Sequence, residues 1–392
     1  MHRAWCLGVR WHAARRAGKL TAVIVVAGGG VVGLHVGMAL AGLPKRPPIF
    51  VCERESSLGA HTSGRNSEVI HAGFAYPVGS LKARFCVEGN ALTYDWLERL
   101  EVPHRRDGKW IVALDSDDLP ALAKVLEVGA ACGVPLLREA GAAEVARSEP
   151  ACRPFPGAVY SGSSGLMDTA EYLHALERCF SAQQDCHFLA PCAVTAIDPQ
   201  KRVVTTTRGA IDYQVLVNAA GLWADEVYRM AGGPRAFRIK PFKGEYYTWR
   251  RGPVRSMVYP VPRRYVPGSA ADPRQVSCMG IHVHRAVSGD VFVGPTQKEL
   301  DWEQKGDYRI TTPRDEFVRE ASRFCAVRDP ESLSPAYAGN RPKLYEDGKP
   351  VGDFHVVYEG SHVHLLGIES PGLTAAPALG RYVAGLVGET MS

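Results

Sequence analysis

Between Ala22 and Leu43 the chain carries no charged residue, and the stretch is long enough to cross a bilayer. It is also interrupted by Gly28, Gly29, Gly30, Gly33, Gly37 and Gly42, and it opens on the β-branched run Val23-Ile24-Val25-Val26. A buried parallel strand, a glycine turn and a helix pressed against a sheet satisfy both facts, so the segment reads as the start of an α/β domain rather than a membrane span. Gly28-Gly29-Gly30-Val31-Val32-Gly33 fits G-x-G-x-x-G. Gly28 makes the turn, Gly30 lets the backbone approach a pyrophosphate, and Gly33 permits close helix–strand packing. The helix N-terminus then faces the phosphates. A second strand, Ile49-Phe50-Val51-Cys52, ends in Glu53, where an acid can accept hydrogen bonds from a ribose 2′-hydroxyl. The predicted ligand is a dinucleotide without a 2′-phosphate. The pattern does not separate FAD from NAD.

A chain of 392 residues allows two or three domains. With 46% hydrophobic and 22% charged residues it is neither disordered nor a coiled coil. Its ten cysteines form no C-x-x-C, which argues against structural zinc or an iron–sulfur cluster and for reduced thiols in an intracellular compartment. The net charge of +5 is matched by Arg3, Arg10, Arg15, Arg16 and Lys19 alone. The remainder is near neutral, which removes the case for nucleic acid or a polybasic membrane anchor, although peripheral membrane contact stays open. Residues 1–19 are Arg-rich, acid-free and roughly amphipathic, the marks of a mitochondrial transit peptide; a disordered tail on a cytoplasmic protein is the alternative.

Further along, helices are expected over Leu81–Leu100, Leu119–Cys132, Asp168–Ala182, Thr311–Ala326 and Ala375–Val387. Short strands are expected at Trp110–Leu114, Ala193–Ile197, Val203–Thr207 and Val215–Val217, with two more about Glu359-Gly360. From Phe237 to about Val293 the chain is strand-rich and aromatic, with a Pro/Gly/Arg-rich loop from Pro262 to Arg274. The expected architecture is α/β, a Rossmann-like FAD-binding domain with an inserted strand-rich α+β substrate domain. Its predicted boundaries are 20–100, 155–235 and 335–392 for the discontinuous FAD-binding part, and 101–154 with 236–334 for the substrate part.

Several collinear segments carry a resemblance. They are Ser63-Gly64-Arg65-Asn66-Ser67 through Val69-Ile70-His71-Ala72-Gly73, Ser80-Leu81-Lys82-Ala83, Gly108-Lys109, Gly165-Leu166-Met167-Asp168 and Asn218-Ala219-Ala220-Gly221-Leu222. Pro241-Phe242-Lys243-Gly244-Glu245-Tyr246-Tyr247, Tyr259-Pro260-Val261-Pro262, Gly294-Pro295, Ala338-Gly339-Asn340-Arg341-Pro342-Lys343-Leu344 and Gly367-Ile368-Glu369-Ser370-Pro371-Gly372-Leu373-Thr374 complete them. From about Val23 to the C-terminus the chain resembles the L-2-hydroxyglutarate dehydrogenase family, a dehydrogenase/oxidase group within the D-amino-acid-oxidase superfamily. The resemblance implies FAD, an L-2-hydroxy dicarboxylate substrate and 2-oxoglutarate as product. It also implies that Val32, Arg54, Thr62, Ser63, Asn66, Ser67, Val194, Ala220 and Gly221 join Gly28, Gly30, Gly33 and Glu53 around the cofactor. Gly367, Gly372, Leu373 and Thr374 would present the last helix to the flavin pyrimidine ring. Glu68 departs from the family pattern, which has glycine there, and so do Thr296-Gln297 and the basic loop Arg263–Ser277.

Oxidising a 2-hydroxy acid requires hydride loss from the α-carbon, a base for the hydroxyl proton and a cation for the carboxylate. His71 is the candidate base, since an imidazole titrates near neutral pH. Arg341 is the candidate carboxylate partner, as its planar fork binds bidentately and related flavin oxidases use an arginine here. An ion pair with Asp347 or Asp353 is the competing reading. Lys243 and Arg65 are candidates for the second carboxylate. His282 and His284 share a strand face and read as polar lining of the substrate domain rather than a metal pair; no metal is expected. Tyr259 reads as buried packing. Expected electron acceptors are a quinone, an electron-carrier protein or oxygen. An amine or amino-acid oxidase of the same superfamily, or a flavin-binding assembly factor without a small substrate, remains open.

Overall fold

The computed structural model describes residues 23–261, 280–327 and 329–391. The expected leader 1–19 and the loop Pro262–Arg274 lie outside these. Val23–Ala27 is the centre of an eight-stranded sheet, hydrogen-bonded in parallel to Ile49–Cys52 on one side and Gly209–Asn218 on the other. All five of its residues are buried, as an unbroken apolar strand requires when helices or loops cover both faces. Cys186–Leu189 extends the parallel run beyond Ile49–Cys52. His362–Leu366 extends it beyond Gly209–Asn218, and His355–Glu359 closes that edge antiparallel. A meander of Val194–Asp198 and Val203–Thr206 leads into Gly209–Asn218.

The helix Val31–Ala41 follows the glycine turn and lies against the C-terminal helix Gly372–Met391. Their approach is close enough that a Cβ on Gly380 would sit 2.6 Å from the carbonyl oxygen of His35. Leu81–Arg99 packs on the same C-terminal helix, where a Cβ on Gly89 would meet the Thr374 carbonyl at 2.2 Å. Ser80 caps Leu81–Arg99 by accepting from Ala83 N, and Asp353 accepts from Leu81 N and Lys82 N. Asp353 is therefore committed to a helix N-terminus, where an anion complements the dipole.

A second, ten-stranded sheet is organised by the long antiparallel pair Phe237–Trp249 and Leu333–Glu346. Val291–Gly294, His282–Arg285, Met257–Pro260, Lys109–Val112, Ala158–Ser161 and Leu137–Ala140 follow in spatial order. The strands Ala158–Ser161 and Leu333–Glu346, which boundaries at 155 and 335 assign to the nucleotide-binding part, pair within this sheet instead. A three-stranded sheet of Val69–Ile70, Gly165–Met167 and His104–Arg105 bridges the two. The helix expected over Thr311–Ala326 is shorter, Arg314–Ala321; ahead of it Pro313 is the N-cap and the Glu245 carboxylate accepts from the backbone N–H of Thr311 and Thr312. Among the described residues no helix is long and apolar enough to cross a membrane.

Candidate functional site

A cavity of about 570 Å³ runs between the two sheets. One end is lined by Glu53, Arg54 and Val194, the other by His71, Tyr259, His282 and Arg341. Between them lie Gly28, Gly30 and Val32, Thr62 to Ser63, Asn66 to Ser67, Ala220 and Gly221, and Gly372 and Leu373.

The wall at the glycine turn is made by backbone. A Cβ on Gly28, at φ +110°, would lie 2.4 Å from the Ala219 carbonyl oxygen, and one on Gly30 2.8 Å from Ser63 Oγ. Gly33 faces inward instead of toward the cavity, where its Cβ would strike the Gly28 carbonyl at 1.9 Å. Glu53 accepts from Gly29 N at 2.8 Å and from Glu55 N at 2.9 Å, which fixes its carboxylate at the cavity wall. Ser63 Oγ accepts from Val31 N at 3.0 Å, and Asn66 Nδ2 donates to the carbonyls of Thr62 and Ser63. Thr62 Oγ1 donates to the Asn340 carbonyl at 3.0 Å, joining the first glycine-rich region to the strand that carries Arg341. Arg54 stacks over Trp223 at 4.2 Å.

His71 is held by its backbone from both sides. Its N–H donates to Thr374 Oγ1 at 3.0 Å and its carbonyl accepts from Asn90 Nδ2 at 2.8 Å. Its Nε2 lies 3.4 Å from Ser370 Oγ. Burial, then the charges of Lys109 and Arg341, hold the imidazole well below its ordinary pKa, so it is a neutral base. Thr374 does not line the cavity; its buried hydroxyl ties the C-terminal helix to the His71 loop. Gly367, at φ +65°, likewise serves packing, with Leu344 Cβ 2.7 Å from where its own Cβ would be.

The candidate cations separate. Arg341 lines the cavity beside Gly339 and Asn340. Arg65 also lines it, but Nε donates to the Ala60 carbonyl at 2.8 Å and the guanidinium stacks on Tyr308 at 4.3 Å, so it clamps two loops together. Lys243 is absent from the wall. On a strand side chains alternate, and Gly244 and Tyr246 take the cavity side. Lys243 and Glu245 take the other, where Lys243 Nζ donates to the Arg309 carbonyl at 2.7 Å and pairs with Glu245 at 3.3 Å. The expectation that Lys243 contacts a ligand is thus corrected by the pleat.

Three features were not legible as site residues. His61 meets Glu55 at 3.0 Å, six residues away, and Tyr308 OH at 2.7 Å, a partner 247 residues distant that the sequence does not connect to it. Lys109, 1% exposed, lies over the Tyr259 ring at 4.5 Å and is drawn down to about 8 by burial. Lys82 and Lys343 both donate to one oxygen of the cavity-lining Glu369, at 2.8 and 2.9 Å. Lys109 and Glu369 stand inside segments that carry the resemblance, but nothing local in sequence marks either as a charge beside the cavity.

An elongated cavity walled by glycine backbone, with an acid at one end and helix N-termini along it, fits a dinucleotide. Part of its wall is supplied by the far end of the chain, at Ser370 to Leu373. The family model described as FAD dependent oxidoreductase matches residues 23–386. A mitochondrial L-2-hydroxyglutarate dehydrogenase of Arabidopsis thaliana is 31% identical over 412 residues, covering 92% of this chain and 82% of the relative. The L-2-hydroxyglutarate dehydrogenase of Escherichia coli K12 is 27% identical over 405 residues, covering 93% and 92%. The FAD-bound L-α-glycerophosphate oxidase of Mycoplasma pneumoniae shares the fold with a TM-score of 0.80, at 24% identity over 94% of this chain and 95% of that one. L-proline dehydrogenase from P. horikoshii does so at 0.76 and 20% identity, over 94% of each chain. With the cavity and these matches together, the chain belongs to the DAO family of FAD-dependent oxidoreductases.

Proposed function

We propose that the protein oxidises L-2-hydroxyglutarate to 2-oxoglutarate. The observation that carries this reading is the convergence of a neutral His71 and Arg341 on the same cavity as the dinucleotide turn. The named activity of the Arabidopsis and E. coli relatives supports the substrate.

The Gly28–Gly30 backbone, Ser63 and Glu53 would hold the nucleotide half of FAD, and Ser370 to Leu373 the flavin half. Bound FAD supplies a two-electron acceptor for the α-hydrogen, taken as hydride. Arg341 binds the carboxylate next to the reacting carbon, and His71 takes the hydroxyl proton. Burial removes the competition of water for that proton and keeps His71 unprotonated before substrate arrives. Because His71 is pinned through its own N–H and carbonyl, the base and the carboxylate clamp keep a fixed relation, and only one hand of substrate can present hydrogen and hydroxyl correctly.

Anaerobic mixing tests this. L-2-hydroxyglutarate should bleach the flavin and its D-enantiomer should not. Arg341→Ala should lower kcat/KM at least about tenfold, the loss expected for a charged hydrogen bond. His71→Ala should act mainly on kcat. Bleaching by glycine or sarcosine in preference would favour an amine oxidase instead. Electrons would pass onward to a quinone or carrier protein, with oxygen as a slower acceptor. The acid-free segment 1–19 supports a mitochondrial location, checked by fusing it to a fluorescent reporter.

A further inference from the structure

His282 is 4% exposed and lines the cavity, and among the described residues neither ring nitrogen reaches good hydrogen-bond geometry, the backbone of Gly280 being a weak partner to the ring. Buried polar atoms in folded proteins are satisfied with few exceptions, and an exception that lines a cavity is explained by what enters the cavity. The ring is not free to seek a partner elsewhere. It lies flat on Tyr259, centroids 3.7 Å apart and planes 12° from parallel. Stacking fixes the plane and leaves the nitrogen-bearing edges available.

The surroundings specify the sign of the missing partner. The strands Lys109–Val112, Met257–Pro260 and His282–Arg285 are adjacent, with Met257 opposite both Lys109 and His284. The pleat therefore places Lys109, Tyr259, His282 and His284 on one face. Lys109 lies over the other aromatic of the stack, and His71 and Arg341 occupy the same end of the cavity. Among the described residues the acids that line the cavity are Glu53, Glu226 and Glu369. Glu53 holds the nucleotide turn, Glu226 pairs with Lys305, and Glu369 is shared by two lysines. Among the described residues, the end that contains His282 is thus short of negative charge. Burial, with His284 and Lys109 near, outweighs the backbone of Gly280 and keeps the His282 ring neutral, so it carries one N–H.

We propose that His282 donates a hydrogen bond to the carboxylate at the end of the substrate remote from the oxidised carbon, with Lys109 behind the Tyr259 ring supplying the charge that favours an anion there. His282, rather than Lys243, is then the residue that makes the enzyme select a dicarboxylate. The assignment rests on the 2-hydroxy dicarboxylate reading above.

The test compares kcat/KM for L-2-hydroxyglutarate with that for L-2-hydroxypentanoate, in which a methyl replaces the remote carboxylate. Wild type, His282→Phe, His282→Gln and Lys109→Met are each assayed as FAD-loaded holoenzyme, with flavin content measured by absorbance. His282→Phe keeps the stack and removes the donor, so the dicarboxylate preference should fall at least about tenfold, chiefly through KM. His282→Gln retains an N–H and should restore part of it. Lys109→Met should lower the same preference from outside the cavity, so the inference stays testable if the Phe variant fails to fold. Parallel losses on both substrates, or an unchanged preference in the Phe variant or the Met variant, would overturn it while leaving the proposed reaction standing. A wild-type enzyme that does not prefer the dicarboxylate would remove the reading on which it rests.

Discussion

Gly30 and Gly33 are both part of one motif, yet the structure separates their tasks. A Cβ on Gly33 collides with the Gly28 carbonyl at 1.9 Å, and backbone there cannot yield without moving the strand. A Cβ on Gly30 meets a serine hydroxyl that can rotate, but larger groups would project toward the phosphate path. Gly33→Ala should therefore lower thermal stability of the whole protein. Gly30→Val should leave a folded, colourless protein, and equal loss of flavin and of folding in both would contradict the distinction. At this scale the sequence was most readable where chemistry is local. The order strand, glycine turn, helix, strand, acid is contiguous, and Glu53 does reach the turn through Gly29 N. Lys109 was unreadable because its meaning comes from Tyr259 and His282, brought to it only by sheet pairing.

Elements show what alternation and capture do to residues that look exposed in sequence. Lys243 follows an aromatic and precedes a glycine, and only the pleat of Phe237–Trp249 decides that it turns toward Glu245. The same carboxylate accepts from the backbone N–H of Thr311 and Thr312, ahead of the helix that their neighbours form. Glu369, just before the C-terminal helix, makes a comparable buried cluster with Lys82 and Lys343. Burial alone would raise its pKa, but the two lysines prevail and hold it at about 2, below the ordinary 4.5. A depressed folded-state value stabilises the protein fully above the unfolded pKa and loses that contribution as pH falls from about 4.5 toward 2. Glu369→Gln leaves two buried ammonium groups sharing no anion, a change that costs on the order of 3–5 kcal/mol. The variant should unfold at lower denaturant at neutral pH, with a shallower acid dependence than wild type. A variant as stable as wild type at pH 7 would show that the lysines are solvated by other means.

On the scale of the whole molecule, the cavity is built from segments at opposite ends of the chain. Residues 27–76 supply one wall and residues 339–373 another, and His71 is bonded to Thr374 across that gap. The helices Val31–Ala41 and Gly372–Met391 touch through backbone at Gly380, so neither can shift without the other. A dinucleotide lying along both N-termini would bind the folded state alone, and a ligand at a thousand times its dissociation constant stabilises by about 4 kcal/mol. That stabilisation should not be uniform. Trp249 and Val283 of the second sheet pack with Phe317 of the helix Arg314–Ala321 in a separate buried apolar cluster. Removal of FAD should thus raise amide exchange in residues 23–41 and 372–391 together, while the strands around Trp249 stay protected. Hydrogen exchange on apo and reconstituted protein checks this, since local openings report their own free energies. Exchange that rises at one chain end alone would mean that the two ends are joined by the cofactor less than by their own packing. A uniform rise would mean that the second sheet has no independent stability.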